Sequence, residues 1–300
     1  MAVMRTTDGG RSWDTVGAPP EPVWQVEFGT SELGWAFGPD LFVTRDGGST
    51  WTREHPGGPV GRLAVVGRSV WALVGGCQQG TCRLGRLRTS QDGGRRWQTA
   101  PLPRSIHSDF IVDLERRGSV GWILTSDSIV DERRSQLVET HDGGATWSVR
   151  QSPCMGKARA FGHPIGPHIF EEHLSAIGPS RVWLLCLEPL ETKNNGILFL
   201  STDGGGRWSR SPVSPAGEDV LLSAVSLRAA WVVDNAAYAL ERFSTGGSPP
   251  GPGPKVRRPW WAGLQFIDPD HGWAAAGNKV YRTTDGRHWL SVELRPSGCG

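Results

Sequence analysis

The composition describes a globular chain with little net charge. Its 300 residues carry 32 Lys and Arg against 30 Asp and Glu, a formal net charge of +2, which gives no strong field to attract nucleic acid or an anionic membrane. No apolar run approaches the roughly 20 residues of a membrane span, and residues 1–10 lack the pattern of a signal peptide. We therefore expect no nucleic-acid partner and no membrane span in these residues.

An eight-residue motif, Thr/Ser-x-Asp-Gly-Gly-x-x-Trp, recurs along the chain, and we call each copy a box. Five copies are intact and a sixth, Thr283 to Trp289, is one residue shorter. The gap between the last two boxes is about twice the first gap, and within it Phe243 to Gly247 resembles a decayed copy with Thr245 in place of Asp. We expect seven units and a structural role for the box aspartates: Asp8, Asp46, Asp92, Asp142, Asp203 and Asp285.

A second tryptophan repeat runs in step with the boxes. Each copy lies in a short apolar run ahead of its box, and the series is Trp35, Trp71, Trp122, Trp183, Trp231 and Trp273. A single tryptophan could contact a ligand, but tryptophans recurring in register at two positions of a repeat indicate a core.

The stretch from Val23 to Glu54 shows what one unit contains. It holds four short β-like segments, and Asp-Gly-Gly between the last two predicts a hairpin turn, where glycine permits positive φ. Repeats of about 40 residues with four strands are typical of propeller blades. We predict an all-β, single-domain propeller over residues 1–300, seven-bladed with an incomplete first blade (1–16), with a six-bladed ring as the alternative.

The boxes resemble the Asp-box, or BNR repeat, of sialidases, some glycoside hydrolases, sortilin-type receptors and the Ycf48/Hcf136 family. The last unit, Phe266 to Trp273 followed by Val280 to Gly286, is most similar to a Ycf48-type repeat. The resemblance implies a sialidase-like or Ycf48-like β-propeller. It does not imply one activity, because the box is a structural hairpin and one fold hosts many functions.

Catalytic signatures are weak. The resemblance would lead us to expect an Arg-Ile-Pro motif and a nucleophilic Tyr in a sialidase, but the motif is missing and the two tyrosines, Tyr238 and Tyr281, lie in strand-like segments. A carboxylate-pair glycosidase is the alternative, on a blade that contains Asp109, Asp113, Glu115, Asp127 and Asp131. We expect no catalytic residues and no cofactor.

Candidate ligand residues lie on loops and near inner strands. His163, His168 and His173 could ligate a metal, but their Gly/Pro-rich segment offers no helix to align them, so we expect no metal. Trp24, Trp260 and Trp261 fall outside the repeat positions and could line a ligand face, with packing between blades as the alternative. We predict a non-catalytic, exported bacterial scaffold that binds a protein or carbohydrate, with a sialidase-like or other glycoside hydrolase as the alternative.

The cysteines and the position of the first box give two further expectations, one about the cellular compartment and one about where the natural protein starts. We expect disulfides between Cys77 and Cys82 and between Cys154 and Cys186, which favour an extracellular or cell-envelope compartment. Only five residues precede the first box, enough for one strand. We therefore also expect the natural protein to start upstream, with roughly 20 further residues completing the first blade behind a signal peptide or lipid anchor.

Overall fold

The computed structural model describes most of the chain. The described residues are 3–38, 40–78, 81–106, 110–126, 135–154, 171–188, 195–211, 220–235, 239–244, 251–252 and 261–294. They form β-strands and no helix, so they contain no helix long and apolar enough to span a membrane.

The strands of the first half form one hairpin and three blades. The N-terminal hairpin is β1 (Val3–Arg5) and β2 (Asp14–Gly17). Blade 1 is β3 (Gln25–Phe28), β4 (Gly34–Phe37), β5 (Leu41–Thr44) and β6 (Thr52–Glu54). Blade 2 contains β7 (Val60–Val66), β8 (Ser69–Val74), β11 (Arg86–Ser90) and β12 (Gln98–Ala100), with β9 (Cys77–Gln78) and β10 (Thr81–Arg83) between its second and third strands. Blade 3 is β13 (Phe110–Arg117), β14 (Val120–Ser126), β15 (Gln136–Thr140) and β16 (Ser148–Gln151).

The second half forms three more blades. Blade 4 is β17 (Glu171–Ala176), β18 (Val182–Glu188), β19 (Asn195–Ser201) and β20 (Ser209–Arg210). Blade 5 is β21 (Leu221–Ser226), β22 (Ala229–Asp234), β23 (Ala239–Ser244) and β24 (Gly251–Pro252). Blade 6 is β25 (Trp261–Phe266), β26 (Gly272–Ala276), β27 (Lys279–Thr283) and β28 (Trp289–Glu293).

Each blade is an antiparallel sheet with its strands in chain order, so the predicted β-propeller class is confirmed. The described residues form six four-stranded blades and a separate two-stranded sheet, β1–β2, which matches the six-bladed alternative. Blade 3 gains two more strands, because β10 pairs with its first strand, β13, and β9 pairs with β10. A loop of blade 2 thereby caps the inner edge of blade 3.

The box forms the hairpin between the third and fourth strands, as Asp46 shows. Its carboxylate accepts the backbone N–H of Thr50 at 2.9 Å and hydroxyl bonds from Thr50 and Thr44 at 2.7 and 2.8 Å. These hydrogen bonds lower the pKa of Asp46 to about 2. The Trp51 indole turns back over the hairpin and donates to the carbonyl of Gly48 at 3.0 Å. Asp8, Asp92, Asp142, Asp203 and Asp285 each accept equivalent backbone bonds.

The second-strand tryptophans form the core between blades. Trp35, Trp71, Trp122, Trp183 and Trp231 are completely buried. In blades 2 and 3, the box packs on the second-strand tryptophan of the preceding blade. A Cβ at Gly94 in blade 2 would lie 3.3 Å from Nε1 of Trp35 in blade 1, and one at Gly144 in blade 3 would lie 3.4 Å from Trp71 in blade 2. Both glycines have positive φ, so the box needs glycine for its turn as well as for this close contact.

The chain divides into two compact units. The first contains Met1–Thr7 and Trp13–Ser152, with blades 1 to 3, and the second contains Asp8–Ser12 and Pro153–Arg295, with blades 4 to 6. In the second unit a disulfide joins Cys154 and Cys186, with their Cα atoms 5.6 Å apart. This is a pair that the sequence predicts. The other pair lies in the first unit, where the β9–β10 register places Cys77 opposite Cys82, but their side chains lie outside the described part of the structure.

Candidate functional site

A cavity of about 490 Å³ lies in the first unit, where turns of blades 1 and 2 meet. Its lining is Thr30, Ser31, Glu32, Leu33, Arg45, Arg68 and Arg95. The first four residues form the turn from β3 to β4, and Arg68 lies in the turn from β7 to β8. The other two arginines belong to the boxes of blades 1 and 2. We call this the arginine cavity.

Hydrogen bonds donated by backbone N–H groups hold the turns that carry this cavity. The hydroxyl of Thr30 accepts the N–H of Leu33 at 2.9 Å, which fixes the β3–β4 turn. Gly47, in the box of blade 1, donates to the carbonyl of Glu32 at 2.9 Å, and Gly93, in the box of blade 2, donates to the carbonyl of Arg68 at 3.0 Å. Each box is therefore anchored to the first turn of its own blade, and the arginines project from a rigid support.

The lining carries an excess of positive charge. Nη2 of Arg45 lies 3.2 Å from Oε1 of Glu54 and donates to the carbonyl of Gly93 at 3.1 Å, so this guanidinium bridges blades 1 and 2. Arg68 and Arg95 are exposed, and among the described residues neither side chain has a hydrogen-bond or ion-pair partner. The lining contains three arginines and a single carboxylate, that of Glu32. Two guanidiniums are therefore available to a ligand without breaking an existing ion pair.

A second polar group lies on the inner strands of the same unit. Burial raises the pKa of Glu27 on β3 to about 8, and the charge of Asp113 adds to the rise while Arg117 opposes it. Burial likewise raises the pKa of Glu115 to about 8, although its carboxylate lies 3.1 Å from the guanidinium of Arg117 and its side chain remains 24% exposed. Asp113 and Glu115 belong to the predicted carboxylate group, whereas Asp109, Asp127 and Asp131 lie outside the described residues.

The position of these glutamates in the repeat favours a structural role. Glu27 pairs with Trp35 across β3 and β4, and Glu115 pairs with Trp122 across β13 and β14. Ser175 and Ser223 hold the same position in blades 4 and 5. Their hydroxyls accept backbone N–H bonds from the next inner strand, at Ala224 and Phe266, both at 3.0 Å. In blades 4 and 5 the polar residue opposite the blade tryptophan therefore links neighbouring inner strands, and Glu27 and Glu115 occupy the same position in blades 1 and 3.

The tryptophan candidates differ in how exposed their side chains are. Trp24 is 51% exposed and stands on the same face of the β3 segment as two other exposed apolar side chains, Val26 and Phe28. Trp261 is buried and packs on Tyr281 with ring centroids 5.4 Å apart, and its backbone is held by the amide of Asn235. This placement gives Trp261 the packing role that the sequence left as the alternative. Trp260 lies outside the described residues.

The remaining candidates are only partly described by the structure. His173 lies on β17, partly buried, while His163, His168 and Tyr238 fall outside the described residues. Tyr281 packs against Trp261, which fits a structural role. In the part of the chain that the structure describes, no three His, Cys, Asp or Glu side chains are arranged to hold a metal ion.

The sequence did not reveal the arginine cavity. Arg95 occurs there as half of an Arg-Arg pair, and Arg45 and Arg68 are single residues far apart in the chain. The one usable signal was the repeat register, because a residue inside the box and a residue in the first turn of a blade lie at the same end of the sheet. Combining that register over two adjacent blades would have brought the three arginines together.

Known proteins resemble the chain in fold. No protein-family model matches it, and no curated protein matches it significantly. YCF48 from Cyanidioschyzon merolae aligns at TM-score 0.61 and 16% identity, over 92% of this chain and 87% of that chain. A structure of YCF48 bound to D1 peptide aligns at 0.58 and 15% over the same shares. A GH74 xyloglucanase from Xanthomonas campestris aligns at 0.62 and 17%, over 90% of this chain but 45% of that chain.

At such identities these likenesses show the fold alone. Together with the blades, they define the chain as a β-propeller of four-stranded antiparallel blades, an architecture shared by proteins that bind a peptide and by a polysaccharide hydrolase. The choice between these functions depends on the residues of the site.

Proposed function

We propose that this protein is a non-catalytic, exported propeller that binds an acidic segment of a partner protein in the arginine cavity. The observation that carries the proposal is the convergence of Arg45, Arg68 and Arg95 on one cavity of about 490 Å³, with two of the three guanidiniums lacking a partner among the described residues.

Guanidinium groups suit carboxylate ligands because their planar N–H fork matches the two oxygens of a carboxylate. Arg45 is already oriented by Glu54 and Gly93, so little side-chain freedom is lost when it contacts a ligand. Arg68 and Arg95 can then each engage an acidic side chain. Such contacts are exposed and should weaken as the salt concentration rises.

Two further observations support the proposal. A YCF48 structure with the same fold holds a D1 peptide, which supports a polypeptide as the class of ligand. The Cys154–Cys186 disulfide supports export, because disulfides persist in oxidising compartments.

The test is binding of a fluorescein-labelled glutamate-rich peptide, followed by anisotropy at low and high salt. The double variant Arg68→Ala/Arg95→Ala should bind roughly tenfold more weakly, since each exposed charge pair is worth about 0.5–1 kcal/mol and about 1.4 kcal/mol corresponds to a factor of ten. The matched control is Arg228→Ala/Arg287→Ala, which removes two exposed arginines from the second unit.

If both double variants lost the same amount of affinity for the peptide, binding would be nonspecific charge attraction. That result would overturn the assignment of the cavity as the binding site. Tighter binding of a sulfated oligosaccharide than of the peptide, lost in the same cavity variant, would assign the site to a glycan instead.

A second function is favoured by one observation, the raised pKa values of Glu27 and Glu115 beside Asp113. Glycosidases pair a protonated carboxylic acid with an ionised carboxylate, and the GH74 xyloglucanase shares this fold. A screen with fluorogenic glycosides and xyloglucan tests this alternative. Turnover that disappears in Glu115→Gln but persists in Glu21→Gln would favour a glycoside hydrolase over a non-catalytic binding protein.

A further inference from the structure

Glu32 brings a carboxylate into the arginine cavity, beside Arg45, Arg68 and Arg95. Its side chain is exposed, and among the described residues it forms no hydrogen bond or ion pair. Positive and negative charge therefore share the cavity without neutralising each other by direct contact.

The backbone of Glu32, not its side chain, holds the residue in the β3–β4 turn. The carbonyl of Glu32 accepts the N–H of Gly47 at 2.9 Å, and its N–H donates to the hydroxyl of Thr30 at 3.3 Å. Any residue other than proline can make these two bonds, so the turn does not need the carboxylate. A charged side chain that is free of such local duties and lies in a cavity on a rigid support is suited to contact a ligand.

The charges that remain after internal pairing fit a ligand of mixed charge. Glu54 already pairs with Arg45 across 3.2 Å, which leaves Arg68, Arg95 and Glu32 as the unpaired charges among the described residues of the lining. A purely acidic segment would satisfy both guanidiniums but would bring its negative charge close to Glu32, and like charges across an interface repel. A segment with two acidic side chains and one basic side chain matches all three groups.

The size of the cavity requires the basic group of the ligand to lie close to the acidic ones. A volume of about 490 Å³ is in the range of sites that hold a small molecule or a few side chains. Leu33, next to Glu32, adds an apolar side chain to the lining. The aliphatic stem of a lysine or arginine can pack on such a surface while its charged head reaches the carboxylate.

We propose that the acidic segment bound in the arginine cavity carries a lysine or arginine within a few residues of its acidic side chains, and that Glu32 binds this basic group. The inference rests on the acidic ligand proposed above for the cavity and narrows it to a segment of mixed charge. Glu32 is then a specificity residue, because it attracts the basic side chain and repels a purely acidic competitor such as polyglutamate.

The probes are labelled peptides with two glutamates and one lysine in a glycine and serine background, with the lysine before, between or after the glutamates. Each has a counterpart in which glutamine replaces the lysine. In anisotropy titrations of the whole protein, at least one lysine peptide should bind roughly two- to fivefold more tightly than its glutamine counterpart, the range of an exposed ion pair. Nonspecific attraction to the arginines predicts the opposite order, because lysine lowers the negative charge of the peptide.

Variants of Glu32 test whether this residue is the cause of the preference. In Glu32→Gln the preference for lysine should disappear, and in Glu32→Lys the glutamine peptide should bind more tightly than the lysine peptide. Glu32→Gln should also bind the glutamine peptides more tightly than the wild type does, because a repelling charge is gone, and a damaged cavity would not produce such a gain. Glu21→Gln changes another exposed glutamate of the first unit, outside the lining, and should keep the wild-type preference.

The possible results distinguish this inference from the proposed function. Suppose that the peptides bind and lose affinity in Arg68→Ala/Arg95→Ala, but show no preference for lysine, or one that Glu32→Gln retains. The role of Glu32 would then be wrong, while the acidic ligand would stand. Tighter binding of every glutamine peptide by the wild type would likewise refute the role of Glu32 and assign the cavity to a purely acidic segment. If none of the peptides bound, the proposed function would fail and this inference with it.

Discussion

Raising the pH from 5 to 8 is expected to weaken the first unit, because Glu27 ionises at a cost in this structure. Burial raises its pKa from 4.5 to about 8. A carboxyl group whose pKa is higher in the folded than in the unfolded state contributes to the free energy of unfolding. This contribution is fully present at pH values below the unfolded pKa. That stability is lost as the pH rises through the folded pKa, so the window runs from about pH 4.5 to 8.

The size of the effect follows from the shift. One pKa unit corresponds to about 1.4 kcal/mol, so three pH units set a ceiling of about 4 kcal/mol. Water reaches the half-buried side chain and screens its charge, so we expect about 1–3 kcal/mol. Glu27→Gln keeps the shape and cannot ionise, and it should remove this part of the pH dependence.

The assay is urea unfolding at pH 5 and pH 8, followed by near-ultraviolet circular dichroism. The wild type should lose more stability between the two values than Glu27→Gln does. Glu21→Gln, which changes an exposed glutamate paired with Arg53, should behave like the wild type. A wild type and Glu27→Gln with parallel pH profiles would refute the reasoning, because Glu27 would then ionise as easily as in water.

The remaining predictions concern stability. Asp142→Ala should lower the melting temperature in a thermal scan, since it removes the acceptor of the Thr146 N–H bond at 2.9 Å, whereas unchanged stability with lost peptide binding would contradict the structural role. Replacing Cys154 and Cys186 together by serine should cost about 3–4 kcal/mol in denaturant unfolding, because the disulfide closes a separation of 32 residues; an equal unfolding midpoint would contradict this. Gly121→Ala would place a Cβ 2.3 Å from the Trp71 ring and should cost about 1–3 kcal/mol, and a fully stable variant would show that the core between blades can shift.

The repeat made the fold predictable, because each box carries its own folding information. In the box of blade 1, Asp46 bonds Thr44 and Thr50 within seven residues of sequence, so a local pattern is sufficient to identify the hairpin. The buried tryptophans were predictable for a related reason. A large apolar side chain at a fixed place in every repeat has to face the neighbouring blade.

The sites were less predictable, because each depends on residues from different blades. Nothing local distinguishes Arg45, Arg68 and Arg95 from other surface arginines. The exposure of Phe28 could not be predicted from the sequence either, because Phe266 has the same sequence context and is buried. The difference lies in the preceding blade, where Trp231 covers one ring and no described second-strand tryptophan covers the other.

The sequence by itself thus determined the class of fold, the strand order within a blade and the tryptophan core, because these follow from interactions within about 40 residues that recur along the chain. Only the tertiary structure decided which side chains are exposed, which arginines share a cavity and which glutamates resist ionisation. Those properties depend on what the adjacent blade supplies, and burial and charge act between residues that the sequence holds far apart.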